Sequence, residues 1–339
     1  MRRLIWLAFI LACVVVPFGA YVRLSDAGLG CPDWPGCYGQ ISPHHAAESI
    51  QRQHVQSPDG PVSLGKAWKE MSHRYLAGAL GALIVAVAWQ AWRARRHRRA
   101  AGALLAVVAA QGLLGMWTVT LLLKPAIVTL HLLGGMSVLL LLAWLALSPR
   151  LRPVEAPAAL NWLARGLVLA VVLQVALGGW VSTNYAALAC QGFPACNGEW
   201  WPQMRFEHAF HLFRELGEAP DGSPLAVGNL VAVHWLHRLG AALVTALCLA
   251  TARAGWRQPA LRGHLACLLA LLGCQLALGV ANVLLALPLP AAVSHNAGAA
   301  GLLLASSLLA LRLRPARAVQ PRAAAGPLPS LSKNHREWV

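Results

Sequence analysis

Glu70-Met71-Ser72-His73-Arg74 and His234-Trp235-Leu236-His237-Arg238 are two versions of one phrase, the second 164 residues after the first. At the same offset Gln111…Leu114-Gly115 returns as Gln275…Leu278-Gly279, and His131 returns as His295. Three motifs sharing one offset mark a duplicated unit. The sequence around each copy is apolar: 58% of the 339 residues are hydrophobic. Apolar runs of about 20 residues, long enough to cross a hydrocarbon core of ~30 Å, recur along the chain. They fall near 4–24, 70–92, 101–123, 125–147, 164–184, 228–252, 262–286 and 290–312. Leu, Ala and Val dominate them, with Gly scattered inside, which is the composition of packed membrane helices. The expected fold is an all-α membrane protein whose eight transmembrane helices form two pseudo-symmetric four-helix bundles. An even number of spans per repeat leaves both bundles in the same orientation.

The expected boundaries follow. Residues 1–147 form the N-terminal bundle, 148–163 a Pro- and Arg-rich cytoplasmic linker, 164–312 the C-terminal bundle, and 313–339 a disordered cytoplasmic tail. The net charge of +16 is topological. Its clusters, Arg2-Arg3, Arg93 to Arg99, Arg150 with Arg152 and Arg165, Arg253 with Arg257 and Arg262, and Arg312 to Arg322, share one side if the spans alternate. The positive-inside rule makes that side cytoplasmic, with both termini on it, and nucleic acid is not an expected partner. Arg2-Arg3 before Leu4–Val16 resembles a cleavable leader. However, Gly19, Val22, Cys31, Pro35 and Cys37 match Gly178, Val181, Cys190, Pro194 and Cys196 at an offset of 159, so the segment reads as the first helix.

The long outer loops, 25–69 and 184–227, carry the paired cysteines. On the periplasmic side of a bacterial inner membrane, Cys31-Cys37 and Cys190-Cys196 read as local disulfides, each worth ~2–3 kcal/mol. The spacing is not that of thiol oxidoreductases. Cys13, Cys248, Cys267 and Cys274 read as buried span residues. Met204–Leu216 mixes apolar and charged residues in the manner of an amphipathic surface helix.

His73, His131, His237 and His295 all fall near the outer ends of spans, one pair per repeat. A buried imidazole needs a partner, and a haem iron bound between two such rings provides one; hydrogen-bonded interhelical contact is the plain alternative. Each half offers two such histidines and no further obvious inward ligand set, so haem fits better than zinc. Glu70 lies three residues before His73 and so shares its helix face, while His234 stands at its place in the second half. It reads equally as a reactive carboxylate or as a residue favoured at a helix start. Arg74 and Arg238 are placed either to pair with haem propionates or to snorkel to the interface.

Together these motifs resemble the haem A synthase family. The match rests on Gly19-Ala20-Tyr21-Val22-Arg23-Leu24-Ser25 leading to Cys31-Pro32-Asp33-Trp34-Pro35-Gly36-Cys37, then Glu70-x-x-His73-Arg74, Thr129-Leu130-His131, His237-Arg238 and His295. The resemblance implies an inner-membrane oxidoreductase that converts the C8 methyl of haem O to a formyl group, giving haem A for terminal oxidases. It further implies His73 and His131 as substrate haem ligands, His237 and His295 as ligands of a resident haem b, and Glu70 as the catalytic residue. Cys31 and Cys37 would bear on activity. Haem O synthase and a quinone acceptor are the implied partners, and homo-oligomerisation is left open. The rival readings are a di-haem cytochrome b, which leaves Glu70 idle, and a thiol oxidase, which leaves the histidines idle.

Overall fold

The computed structural model describes residues 1–315. Within them the α-helices are α1 Arg2–Leu24, α2 Ala47–Gln56, α3 Leu64–Arg93, α4 Arg98–Thr120, α5 Pro125–Leu147, α6 Ala158–Thr183, α7 Val227–Gly255, α8 Pro259–Leu284 and α9 Leu289–Arg312. All but α2 are long and apolar enough to cross a membrane, and the chain is an all-α, multi-pass membrane protein. Helix is the form that satisfies every backbone group within one span. Starts are set locally: the Ser63 hydroxyl caps α3 by accepting from the Lys66 N–H at 3.3 Å, and prolines open α5, α8 and α9.

The duplication is written into the backbone. Left-handed conformations at non-glycine residues recur at equivalent places: Asp26 and Tyr185, Tyr38 and Asn197, and the pairs Leu122-Leu123 and Ala286-Leu287. L-residues visit that region seldom, so shared turn geometry has outlasted the residues that form it. In the first half α1 packs on α3 and α5, and α4 on α3 and α5; α6, α7, α8 and α9 repeat the cycle. The halves meet through α1 on α9 and α5 on α6, an exchange of equivalent helices such as a two-fold relation demands. Near that axis, equivalent positions touch each other. Arg23 Nη2 donates to the Ser182 carbonyl at 2.9 Å, and Tyr185 Oη donates to Asp26 at 3.0 Å, each across 159 residues. Burial, partly offset by the Arg23 guanidinium, raises the Tyr185 pKa, which keeps its hydroxyl a donor. The guanidinium carbon sits 4.2 Å from the Tyr185 ring centroid.

One end of the bundle is solid and the other hollow. The fully buried leucines Leu142, Leu160, Leu261, Leu265 and Leu309 gather away from the disulfide loops. Beside the loops the helices part around a cavity.

Several expectations are corrected. The 148–163 linker contains a short 3₁₀ turn and a strand β1, Val154–Ala156, and α6 begins at Ala158 rather than 164. β1 pairs in parallel with β2, Leu313–Pro315, so the expected disordered tail begins with ordered backbone. The pairing satisfies main-chain groups just beyond α9, and the remainder of that expectation, 316–339, lies outside the described residues. Met204–Leu216 is not helical: Arg214 is buried there, donating to Asn184 and to the carbonyls of Glu215 and Glu218 at 3.3 Å. The outer-loop helix is instead α2, anchored by buried Ile50. Of the four span cysteines only Cys248 is buried; Cys13, Cys267 and Cys274 are exposed on the helices' outward faces, because an apolar span residue faces lipid as readily as core.

Gly134 and Gly298 admit the Gln111 and Gln275 amides, since a Cβ at either would collide with the amide nitrogen. Gly298→Ala is expected to cost about 1–3 kcal/mol through overpacking, and adding Gln275→Ala to recover most of it. Thermal unfolding in detergent checks this; equal losses in the single and double variants would show that the amide is not what occupies the glycine's space.

Candidate functional site

The hollow end is a single cavity of about 2540 Å³ that takes wall residues from all eight long helices, and His73, His131, His237 and His295 all line it. Helix geometry sets their depth. His131 and His295 each lie six residues after the first residue of α5 and α9, and His73 and His237 lie nine and ten residues into α3 and α7. A glycine on the neighbouring helix backs every ring. The position of a Cβ at Gly19 would be 3.0 Å from His73 Cε1, at Gly178 3.1 Å from His237 Cε1, and at Gly115 and Gly279 3.4 Å from Cε1 of His131 and His295. The repeated glycines of the sequence are therefore seats for the repeated histidines.

The ring nitrogens tell the two ends of each imidazole apart. Nδ1 of His73, His131 and His295 is sealed from the cavity with no hydrogen-bond partner. Nε2 of these rings is unbonded and opens on the cavity. An unbonded Nε2 aimed into a cavity leaves its lone pair available, so the arrangement suits a ligand that takes up Nε2. Among the described residues no group of three or more His, Cys, Asp or Glu could cage a metal ion. Two imidazoles per half on the wall of a broad apolar chamber fit a metal that brings its own planar set of ligands, as a macrocycle does.

Above the histidines each half carries a latch. Glu70, buried at 5% exposure, receives Arg74 Nη2 on Oε1 at 2.5 Å and the Cys31 N–H on Oε2 at 2.9 Å. Arg74 Nη1 donates to the carbonyls of Asp33 at 2.8 Å and Gly36 at 2.5 Å. In the second half His234 takes the place of Glu70. Its Nδ1 faces the Cys190 N–H at 3.4 Å and its Nε2 faces Arg238 Nε at 3.3 Å. Arg238 then donates to the carbonyls of Cys190, Gly192 and Ala195 at 2.8, 3.0 and 3.1 Å. Cys31–Cys37 and Cys190–Cys196 close both loops, with Cα atoms 4.9 and 4.7 Å apart. The two arginines thus hold loop carbonyls, a role the sequence reading did not foresee, while still lining the cavity.

The reading also missed Arg23, Gln174, Asn282 and Asn296, all on the cavity wall. A lone polar residue in an apolar run was the available signal.

The sequence matches the family described as cytochrome oxidase assembly protein, COX15-CtaA, over residues 2–307. It is 41% identical over 313 residues to a protein of Shewanella oneidensis named heme A synthase, with 89% of this chain and 94% of that one aligned. Proteins of the same name from Chelativorans and Paracoccus denitrificans are 31% and 29% identical, covering 87% and 88% of this chain and 88% and 84% of theirs.

Arg74→Leu leaves the Glu70 carboxylate buried without its cation and unlatches the loop. A loss of about 3–5 kcal/mol is expected from stranding such a charge, with faster proteolysis between Cys31 and Ile41. Unchanged protection of that loop would mean the disulfide alone holds it.

Proposed function

Because the chain belongs to the COX15-CtaA family, whose haem A synthases oxidise haem O to haem A, we propose that its two repeats divide this oxidation between a substrate site and an electron-handling site. The chain is an oxidoreductase of haem biosynthesis; the division of labour is the proposal. Residues 1–147 form the substrate unit, with His73 and His131 holding haem O. Residues 158–312 form the second unit, with His237 and His295 holding haem b, and 148–157 joins the two. The observation that carries the reading is the asymmetry of one position: both latches are built alike, yet only the first contains a carboxylate, Glu70.

Bound haem b supplies one-electron transfer. The residues of the chain do the rest. Gly19 and Gly115 seat the substrate's two ligands, and the apolar wall, including Leu80, Leu105 and Val108, receives its hydrocarbon tail. Two successive two-electron oxidations, each adding the oxygen of one water and releasing two protons, take the methyl to an alcohol and then to a hydrated aldehyde that loses water; the four electrons would leave to two molecules of quinone. Glu70, fixed by Arg74 and the Cys31 N–H, accepts a proton or stabilises positive charge developing on the carbon being oxidised. Arg74 and Arg238 are within the same cavity for the propionates, and the Cys31–Cys37 loop closes over the first site. A quinone outside the bundle is the proposed electron acceptor and haem O synthase the proposed donor of substrate. The basic residues at the solid end favour a bacterial inner membrane with both termini cytoplasmic and the cysteine loops periplasmic.

Glu70→Gln keeps the size of the side chain and removes its charge. In cells that make haem O, this variant is expected to accumulate haem O with little or no haem A while still binding haem, as read by extraction and mass spectrometry. Haem A formation at the wild-type rate would remove Glu70 from the chemistry.

A further inference from the structure

The proposed reading needs one site that keeps its haem and another that takes in substrate and lets product go, although both sites descend from one ancestor. We infer that Gln174 is the positioning residue that makes the second site retentive, by holding His237, and that its absence from the first site leaves that site exchangeable. The inference rests on the assignment of haem ligands above.

Gln174 lies on α6 one turn before Gly178, hence on the helix face that seats His237. Its Nε2 donates to the His237 carbonyl at 2.9 Å and lies 3.0 Å from ring Nδ1. Gln275 Nε2 likewise donates to the His295 carbonyl at 2.8 Å, but of the four proposed ligand histidines only His237 has its Nδ1 engaged; Nδ1 of His73, His131 and His295 has no partner. The amide is seated as tightly as the ring. Gly240, three residues after His237, makes room for Gln174 Oε1, with which a Cβ would collide. At the offsets that align the repeats, the first half has Val15 for Gln174 and Leu76 for Gly240. An amide and the hole that admits it have been exchanged together for two aliphatic side chains, while Gly19 beneath His73 matches Gly178 beneath His237.

The chemistry follows from where an imidazole keeps its proton. To bind iron through Nε2 a neutral ring must carry the proton on Nδ1, and that N–H then needs an acceptor. The Gln174 amide is a donor as it stands and an acceptor after a half-turn. Its Oε1 is buried with no partner, so the turn exchanges the Nε2 bond to the His237 carbonyl for an Nδ1–H to Oε1 bond and breaks no bond at the oxygen. Gln174 can thus hold His237 in one orientation whether the ring is free or ligating, and an acceptor at Nδ1 strengthens the ring as an iron ligand. His73, with Val15 at the equivalent position, has neither restraint.

Two variants test this on the full-length protein in detergent. Gln174→Leu is apolar and close in size; Val15→Gln with Leu76→Gly builds the amide and its hole into the first half. Haem loss to excess apomyoglobin and a potentiometric titration are the readouts, with elution volume and disulfide content reporting the fold. Loss of such a partner typically costs 10–100-fold in metal affinity. Gln174→Leu is therefore expected to hold the second haem about 10–100-fold more weakly, with its midpoint potential raised. Val15→Gln/Leu76→Gly is expected to slow loss from the first site. Haem retention and potential unchanged in Gln174→Leu, or no slowing in the first-half variant when it elutes as wild type does, would overturn the inference. Should wild-type protein hold no haem that His237→Ala removes, the underlying ligand assignment falls instead.

Discussion

A ring set inside a membrane helix bundle must lie against a neighbour that has no side chain to spare it, and the contact of four histidines with four glycines is what the hollow end is arranged around. Gly19, Gly115, Gly178 and Gly279 each bring a helix backbone to within van der Waals distance of an imidazole. Each contact is to the ring's Cε1 edge, and Nδ1 of His73, His131 and His295 is buried in the wall. The contact also fixes which helices must be neighbours, since each glycine and its histidine sit on different spans. Once α1 must touch α3, α4 must touch α5, and their equivalents must do likewise, the packing cycle of each half is largely determined.

Upon this symmetric frame the differences are few and local. Glu70 stands where His234 stands, and Val15 with Leu76 where Gln174 stands with Gly240. Neither exchange disturbs the latch or the seat in which it occurs. Both Arg74 and Arg238 still bind the carbonyls of a disulfide loop, and both His73 and His237 still rest on glycine. A duplicated scaffold can diverge in chemistry at such positions because the backbone interactions supplied by the arginines and glycines are indifferent to them.

The spans, the repeats, the four histidines and the two disulfides were legible because each obeys a strong rule: bilayer thickness, a constant offset, or the pairing of cysteines. The structure adds what depends on tertiary partners. α2 shows little in sequence because a single buried residue, Ile50, anchors its ten residues. Met204–Leu216 carries the pattern of a surface helix, but Arg214 turns inward to Asn184 and to nearby carbonyls, and that choice is made by residues distant in sequence. Gln174 is hidden for another reason. The repeats align at 159 through α1 and α6 but at 164 from α3 and α7 onward, because the second outer loop is five residues longer. A comparison at one offset therefore never sets both Gln174 beside Val15 and Gly240 beside Leu76.

The orientation of the repeats explains why one cavity serves both halves. Had the duplication involved an odd number of spans, the second copy would be inverted and its histidines would open toward the opposite face. Four spans per copy keep both histidine pairs beside the loops, and the two-fold contact of α1 with α9 and α5 with α6 brings the hollow ends together. The wall then runs without interruption from His73 and His131 through Arg23, Ser182 and Tyr185 to His237 and His295. Under the proposed division of labour, electrons leaving a substrate in the first half would not cross the bilayer to reach the second; they would travel along the membrane plane, between sites built from the same parts. The solid leucine core at the other end holds the two hollow halves in register.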